Sequence, residues 1–429
     1  MKQIIKQLLR ITFKIVFRVS PGLADQIRER LYSFWYRFLS QNNKVSKTPL
    51  FRDRPGLLID VSVVSKTDAG TGIQRVVNNI FRKLFEQTEN VIAICDHFGQ
   101  LITSNSYVEQ KVGKEMVQEQ VIEFKAGDSL LLLDSSWNFA ADYSRFLKRA
   151  SESEVMSYGV FYDLFPIQYP ELFASPTFIN SFCDWHNMLL EQSDSIICIS
   201  RTTADVVAQY YEIKQFQRKC PLKLYYFHMG ADVPGGTQVS RKEIQDFVKT
   251  GTVFLMVGTL EPRKGHMVVL HAFSKILRET QQDCRLLIIG HDGWKNDEIR
   301  KELALPEFKD KILWIKDASD EELRWSYAHA DVLVAASKDE GFGLPLVEAA
   351  HFGLPIICSD IPIFREVTQG NADYFKVMDA DDLARCIKEW LKSEYHPDSS
   401  KIHIFTWQES AKEIIDIIDG KVKPYKLLT

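Results

Sequence analysis

The sequence of 429 residues lacks a Cys-x-x-Cys pair, a long apolar run and a large net charge, and each lack excludes something. The seven cysteines are scattered, and several, such as Cys198 and Cys358, lie inside apolar runs. They read as buried free thiols of a reducing compartment, which argues against a disulfide framework or a zinc site. No apolar run approaches the roughly 18 residues that a bilayer-crossing helix needs. A formal charge of −4 leaves no overall footprint for nucleic acid. What remains is an ordinary globular composition, 45% apolar and 26% charged, long enough for two domains.

The charge is uneven. Residues 1–50 hold ten Lys or Arg against Asp25 and Glu29, a net of +8, so the rest of the chain carries −12. Lys2, Lys6, Arg10, Lys14 and Arg18 recur every fourth residue and form one stripe of a helix, with Ile, Leu, Phe and Val on its other faces. Pro21 and Gly22 interrupt it, and Trp35, Tyr36 and Phe38 follow among arginines. A basic amphipathic helix with aromatics suits an anionic membrane surface, so residues 1–40 are expected to lie on one. Packing on the protein's own core is the alternative. Residues 41–54 read as a linker.

From residue 57 onward, short apolar runs alternate with helical patterns. LLIDVSVV (57–64), VIAIC (91–95), SLLLLD (129–134), YGVFYD (158–163) and SDSIICIS read as strands of a first half, and KLYYF closes it. The runs at 254–257, 285–289, 312–316 and 331–336 read as strands of a second. Such alternation predicts α/β architecture with two doubly wound parallel sheets. The expected boundaries are 1–50 for the basic segment, 51–240 and 250–400 for the two halves, and 401–429 for a closing helix. A hinge is expected at 233–250.

The richest stretch is DEGFGLPLVEAAHFGLPIICSDIPIFREV, from Asp339 to Val367. Glu340 and Glu348 bracket seven residues. Gly341 and Gly343 turn the chain, and a helix starts after them. Small glycines let backbone approach a ligand, helix-start N–H groups favour anions, and carboxylates in a cleft accept bonds from sugar hydroxyls. Upstream, Arg263 and Lys264 stand directly before a helix, where two cations suit a diphosphate. Asp379-Ala380-Asp381 imitates a metal motif but reads as a turn and helix cap.

Glu340-(seven residues)-Glu348 within EGFGLPLVEA resembles the signature of retaining glycosyltransferases of family 4, which have the GT-B fold. The resemblance runs on through GLPIICSDIPIFREV and returns in TGIQRVV, DLFPIQYP, GTLEPRKG and TWQESA. It is most similar to bacterial mannosyl- and rhamnosyltransferases of O-antigen and capsule assembly. The resemblance implies that Glu340 holds sugar hydroxyls and Glu348 the ribose. Arg263 and Lys264, with the Gly72 backbone, would stabilise the leaving diphosphate, and the backbone of Gly341, Phe342, Gly343 and Leu344 would line the donor site. Asp163 is implied as a contact to sugar or acceptor, and Ser200, Arg201 and His228 as cleft residues. Two positions depart from the pattern. Tyr162 stands where the family has a histidine beside the sugar, and Thr259 where it often has an arginine.

The resemblance therefore implies a nucleotide-sugar donor, GDP-linked by preference and UDP- or dTDP-linked as alternatives. It implies a glycan or lipid-linked glycan acceptor, no cofactor and no metal, since the nucleotide-sugar is itself a substrate. The expected location is cytoplasmic, peripheral at the inner face of the cytoplasmic membrane. A GT-B scaffold that has lost catalysis and serves as a partner subunit is the reading from another class.

Overall fold

A computed structural model describes residues 45–429 apart from 69, 117, 174 and 232–240. The basic segment 1–40 lies outside the described residues, as do 233–240 of the expected hinge; within the hinge's described part, Lys242–Phe247 is helical. Among the described residues no helix is long and apolar enough to cross a membrane.

Two sheets carry the chain. In chain order the first holds β1 (Ser46–Pro49), β2 (Leu57–Asp60), β3 (Val91–His97), β4 (Gln100–Thr103), β5 (Gln120–Val121), β6 (Ser129–Leu132), β7 (Met156–Phe161), β8 (Ser195–Cys198) and β9 (Leu222–Tyr226). The second holds β10 (Thr252–Val257), β11 (Cys284–Ile289), β12 (Ile312–Ile315), β13 (Val332–Ala335), β14 (Ile356–Ser359) and β15 (Asp373–Phe375). The last strand, β16 (Lys426–Leu428), returns to the first sheet beside β9, so that sheet runs β1-β5-β4-β3-β2-β6-β7-β8-β9-β16. The second runs β12-β11-β10-β13-β14-β15, parallel throughout.

The central strands are Leu-, Ile- and Val-rich because helices cover both faces, and in β2, β8 and β14 every residue is buried. The strand expected over 57–64 stops at Asp60, and the chain turns over 62–66. Asp60 and Asp134 cause the turn. Asp60 accepts from the Ser62 N–H at 3.1 Å, and Asp134 accepts from the Val63 and Val64 N–H groups, each at 2.7 Å.

Three elements correct the sequence reading. Within the expected linker, Ser46–Pro49 is an edge strand paired with β5. The stretch 91–103 is a hairpin whose two-residue turn, Phe98-Gly99, has φ of 55° and 77°, the geometry that matches strand twist. The chain ends on a strand, after the helix Trp407–Ile418. That helix crosses back to the first half, burying Trp407, Ala411, Ile414 and Ile417 in a core shared with the helix Gly72–Gln87.

The two sheets present the ends of their parallel strands to one cleft. Loops after β2, β7 and β8 face loops after β10, β11 and β13. Side chains span it, as where Glu366 accepts from the Arg201 and Thr202 N–H groups at 2.9 and 2.8 Å and so caps the helix Arg201–Lys214.

Candidate active site

The loop after β10 and the loop after β13 meet over two close backbone approaches. Gly265 has φ of 73°, and a Cβ there would stand 2.1 Å from the Ala336 carbonyl oxygen. Only glycine lets the Arg263–Lys264 turn lie against the Glu340 loop. Across the cleft, a Cβ on Gly341 would stand 2.3 Å from the Tyr162 carbonyl oxygen. The Gly341 carbonyl in turn accepts from Ser200 Oγ at 3.0 Å and Thr203 Oγ1 at 3.1 Å. The glycine turn is thus clamped between the domains.

Glu340 sits in that turn with both oxygens engaged. Lys264 Nζ bonds Oε1, as does Ser337 Oγ at 2.9 Å, and Arg263 lies 3.1 Å from Oε2. Burial alone would raise its pKa, but Lys264 first and Arg263 next hold the carboxyl down at about 2. Arg263 also donates to the Asp339 carbonyl at 2.8 Å and to Glu261 Oε1 at 2.6 Å, and its guanidinium lies 4.7 Å from the centre of the Phe165 ring. Its own pKa is pushed above the usual range, with Glu340 and Glu261 overcoming burial. Arg263 is therefore a strut of the site. Among the described residues Lys264 has one carboxylate partner for its three N–H groups, and its stem runs past Gly258.

Glu348 lies one helical segment further, on Leu344–His351, almost fully buried. Tyr327 donates to Oε2 at 2.8 Å, and Arg75, from the first domain, reaches Oε1 at 2.9 Å. Arg75 and Glu348 are 273 residues apart in sequence, so no local pattern shows this pair. Arg75 stands on the helix opened by Thr71 and Gly72; Thr71 and Gln74 cap it reciprocally, and Gly72 has open space around its Cα.

Asp163 follows β7 on the opposite wall. Burial raises its pKa to about 6 against the lowering pull of Arg263 and of the Phe165 N–H at 3.2 Å. Tyr162 turns away from this space: its hydroxyl donates to the Leu133 carbonyl at 2.7 Å, so the hydrogen bond to sugar that its position suggested is already used inside the first domain. Phe342 is buried, while Gly343, with φ of 97°, and Leu344 open the helix that carries Glu348. Thr259 faces the Gly293 loop. Ser200 clamps and Arg201 is exposed, its N–H on Glu366. His228 stacks on Phe405 at 4.7 Å and holds Glu413 through its N–H at 2.9 Å, at the seam with the closing helix. Asp379 accepts from the Asp381 and Asp382 N–H groups, at 3.0 and 2.9 Å, and is a helix cap. Among the described residues no group of three His, Cys, Asp or Glu is placed to hold a metal ion.

Residues 239–403, which hold β10 to β15 and both glutamates, match the family described as Glycosyl transferases group 1. That stretch carries the family's domain, and the chain has the GT-B fold. Over 386 residues, 86% of this chain, it is 33% identical to the serotype-specific mannosyltransferase WbdA of Escherichia coli. It is 26% identical over 227 residues, 53% of this chain and 58% of the relative, to the O-antigen chain mannosyltransferase RfbU of Salmonella typhimurium. The chain spans about half the length of the curated relatives it matches, 46% in the case of WbdA. Among solved structures, the sucrose-phosphate synthase of Thermosynechococcus elongatus superposes with a TM-score of 0.61 at 15% identity, covering 86% of this chain and 99% of its own, which bears on the fold alone.

Proposed function

We propose that the protein is a glycosyltransferase that moves a hexose, mannose by preference, from a nucleoside diphosphate donor to a glycan acceptor with retention at the anomeric carbon. The observation that carries this reading is the Lys264–Glu340–Arg263 cluster facing Asp163 across a cleft between two doubly wound domains. The similarity to mannosyltransferases supports the sugar, and a GDP-linked donor goes with it; UDP- and dTDP-sugars are the competing donors.

The charge that develops on the β-phosphate as the sugar leaves needs a fixed counter-charge in a site screened from water. Lys264 supplies it directly, and Arg263 holds the loop that aims it. Glu340, fully ionised at neutral pH, accepts the sugar's hydroxyl hydrogens, while Glu348, held by Tyr327 and Arg75, accepts those of the ribose on its remaining lone pairs. The departing phosphate takes the acceptor's proton on the face from which it leaves. Closure of the domains around Gly341 excludes water that would hydrolyse the donor. A lipid-linked acceptor would give residues 1–40 a role at the inner face of a membrane.

Thermal shift with GDP, UDP and dTDP, each in the presence of EDTA, tests the reading. Stabilisation by one of them, lost in Lys264→Ala, is the expected result. No shift with any of the three overturns the catalytic reading and favours an inactive partner subunit.

A further inference from the structure

Beside the cluster lies a cavity of about 130 Å³ whose walls come from both domains. A cavity of about 150 Å³ takes one benzene ring, so this one has about the room of a single six-membered ring. Its apolar wall includes Trp137, Phe173, Phe178 and Trp294. Trp137 meets Phe178 edge-on at 5.7 Å, and Trp294, from the loop after β11, stacks on Phe173 at 5.9 Å. The Trp294 indole N–H donates to the Leu172 carbonyl at 2.9 Å, which fixes the ring across the domain boundary.

The opposite end is rich in acceptors. Glu261 is 2% exposed; Arg263 takes its Oε1, and its Oε2 is buried with no hydrogen-bond partner among the described residues. A lone carboxylate oxygen in that state is costly unless a ligand donates to it. Asp163 stands beside it. His186 also lines the space; its Nδ1 is 2.7 Å from the Phe182 carbonyl, which makes Nδ1 the donor and leaves Nε2 as an acceptor. Burial keeps that ring neutral, with its pKa lowered to about 4.

An aromatic wall facing a row of acceptors fits a ligand with C–H bonds on one face and hydroxyl donors on its rim. A phosphate would be repelled by the two carboxylates, and an alkyl chain would leave Glu261 unpaired. We propose that this cavity is the acceptor subsite, and that it seats one neutral hexopyranose with its C–H face on the aromatic wall and its hydroxyls donating to Glu261 and Asp163. This rests on the transferase reading and adds to it the place and chemical class of the acceptor.

The test is saturation-transfer NMR of the full chain with methyl α-D-mannopyranoside as the probe, alongside a GDP titration. Wild type is expected to saturate the ring C–H protons, with no competition from GDP. Trp294→Ala and, within the first domain alone, Phe178→Ala are each expected to weaken mannoside binding about tenfold and to leave GDP affinity unchanged. GDP binding without mannoside binding overturns the subsite and leaves the transferase reading intact. Displacement of the mannoside by GDP, or by n-octanol, also overturns it, in favour of a donor-sugar pocket or a lipid-tail pocket. Binding of neither ligand overturns both.

Discussion

Glu340, with its side chain 11% exposed, and the buried Glu348 belong to one motif, yet they are neutralised in different ways. Glu340 is held within its own domain by Lys264 and Arg263, neighbours on a loop that a glycine presses against it. Glu348 is held partly from within, by Tyr327, and partly from the other domain, by Arg75. The Glu340 corner therefore draws its cations from a single domain, while the Glu348 corner is complete only when the two domains meet. A fixed corner suits the group that stabilises a transition state, and a corner that closes suits the group that recognises a donor.

The comparison is broken most sharply at Lys264. Lys264→Met leaves the Glu340 carboxylate with one cation in a buried site, which should cost about 3–5 kcal/mol of stability in urea unfolding. Transfer should also fall roughly a hundred- to a thousandfold in kcat with the donor saturating.

The next effect is on pH. The folded pKa of Glu340, about 2, lies below its ordinary 4.5, so its contribution is present in full above pH 4.5 and is lost as pH falls toward 2. The shift is worth about 3 kcal/mol. Asp163 acts in the opposite sense: its raised pKa of about 6 makes folding more favourable as pH falls from about 6 toward 3.8. Urea midpoints of wild type and Glu340→Gln should thus converge between pH 4.5 and 2, whereas Asp163→Asn should gain on wild type as pH rises from 3.8 to about 6 and keep that gain, without adding to it, at higher pH.

Arg75→Met sharpens the contrast, because it removes the bond across the cleft and leaves Tyr327 in place. Its side chain is 39% exposed, so the loss should be only about 1 kcal/mol. The larger signature should appear in small-angle scattering, as a wider unliganded particle that GDP restores, with kcat less affected than the KM for donor. The smallest effect belongs to the remote tie at Glu366. Glu366→Ala should remove the carboxylate from the first turn of the Arg201–Lys214 helix, leaving the Ser200 cap in place, at about 1 kcal/mol or less and without changing GDP affinity.

What the sequence disclosed follows the same division. Buried parallel strands read as apolar runs because both faces are covered, and Lys264 with Glu340 sits in loops whose glycines are legible as turns. The edges were less visible. Ser46–Pro49 and Lys426–Leu428 are short, partly exposed strands without an apolar pattern, and Phe98-Gly99 lacks the asparagine or aspartate that advertises a tight hairpin. The role of Arg75 is not legible in the sequence, since its partner lies in the other domain. The Tyr162 hydroxyl looked available because position in a motif does not tell which way a ring turns; Leu133, 29 residues upstream, decides that. Glu261 gave no signal beyond its place before Pro262, and its unpaired oxygen is visible only in three dimensions.

The central claim is that Lys264 meets the β-phosphate of a donor nucleotide. Isothermal titration of GDP against GMP, with EDTA present, measures it directly. A β-phosphate on Lys264 predicts GDP binding about tenfold tighter or more, as a charge-assisted hydrogen bond supplies, with the preference gone in Lys264→Met. Equal affinities for GDP and GMP in the wild-type protein would contradict the account.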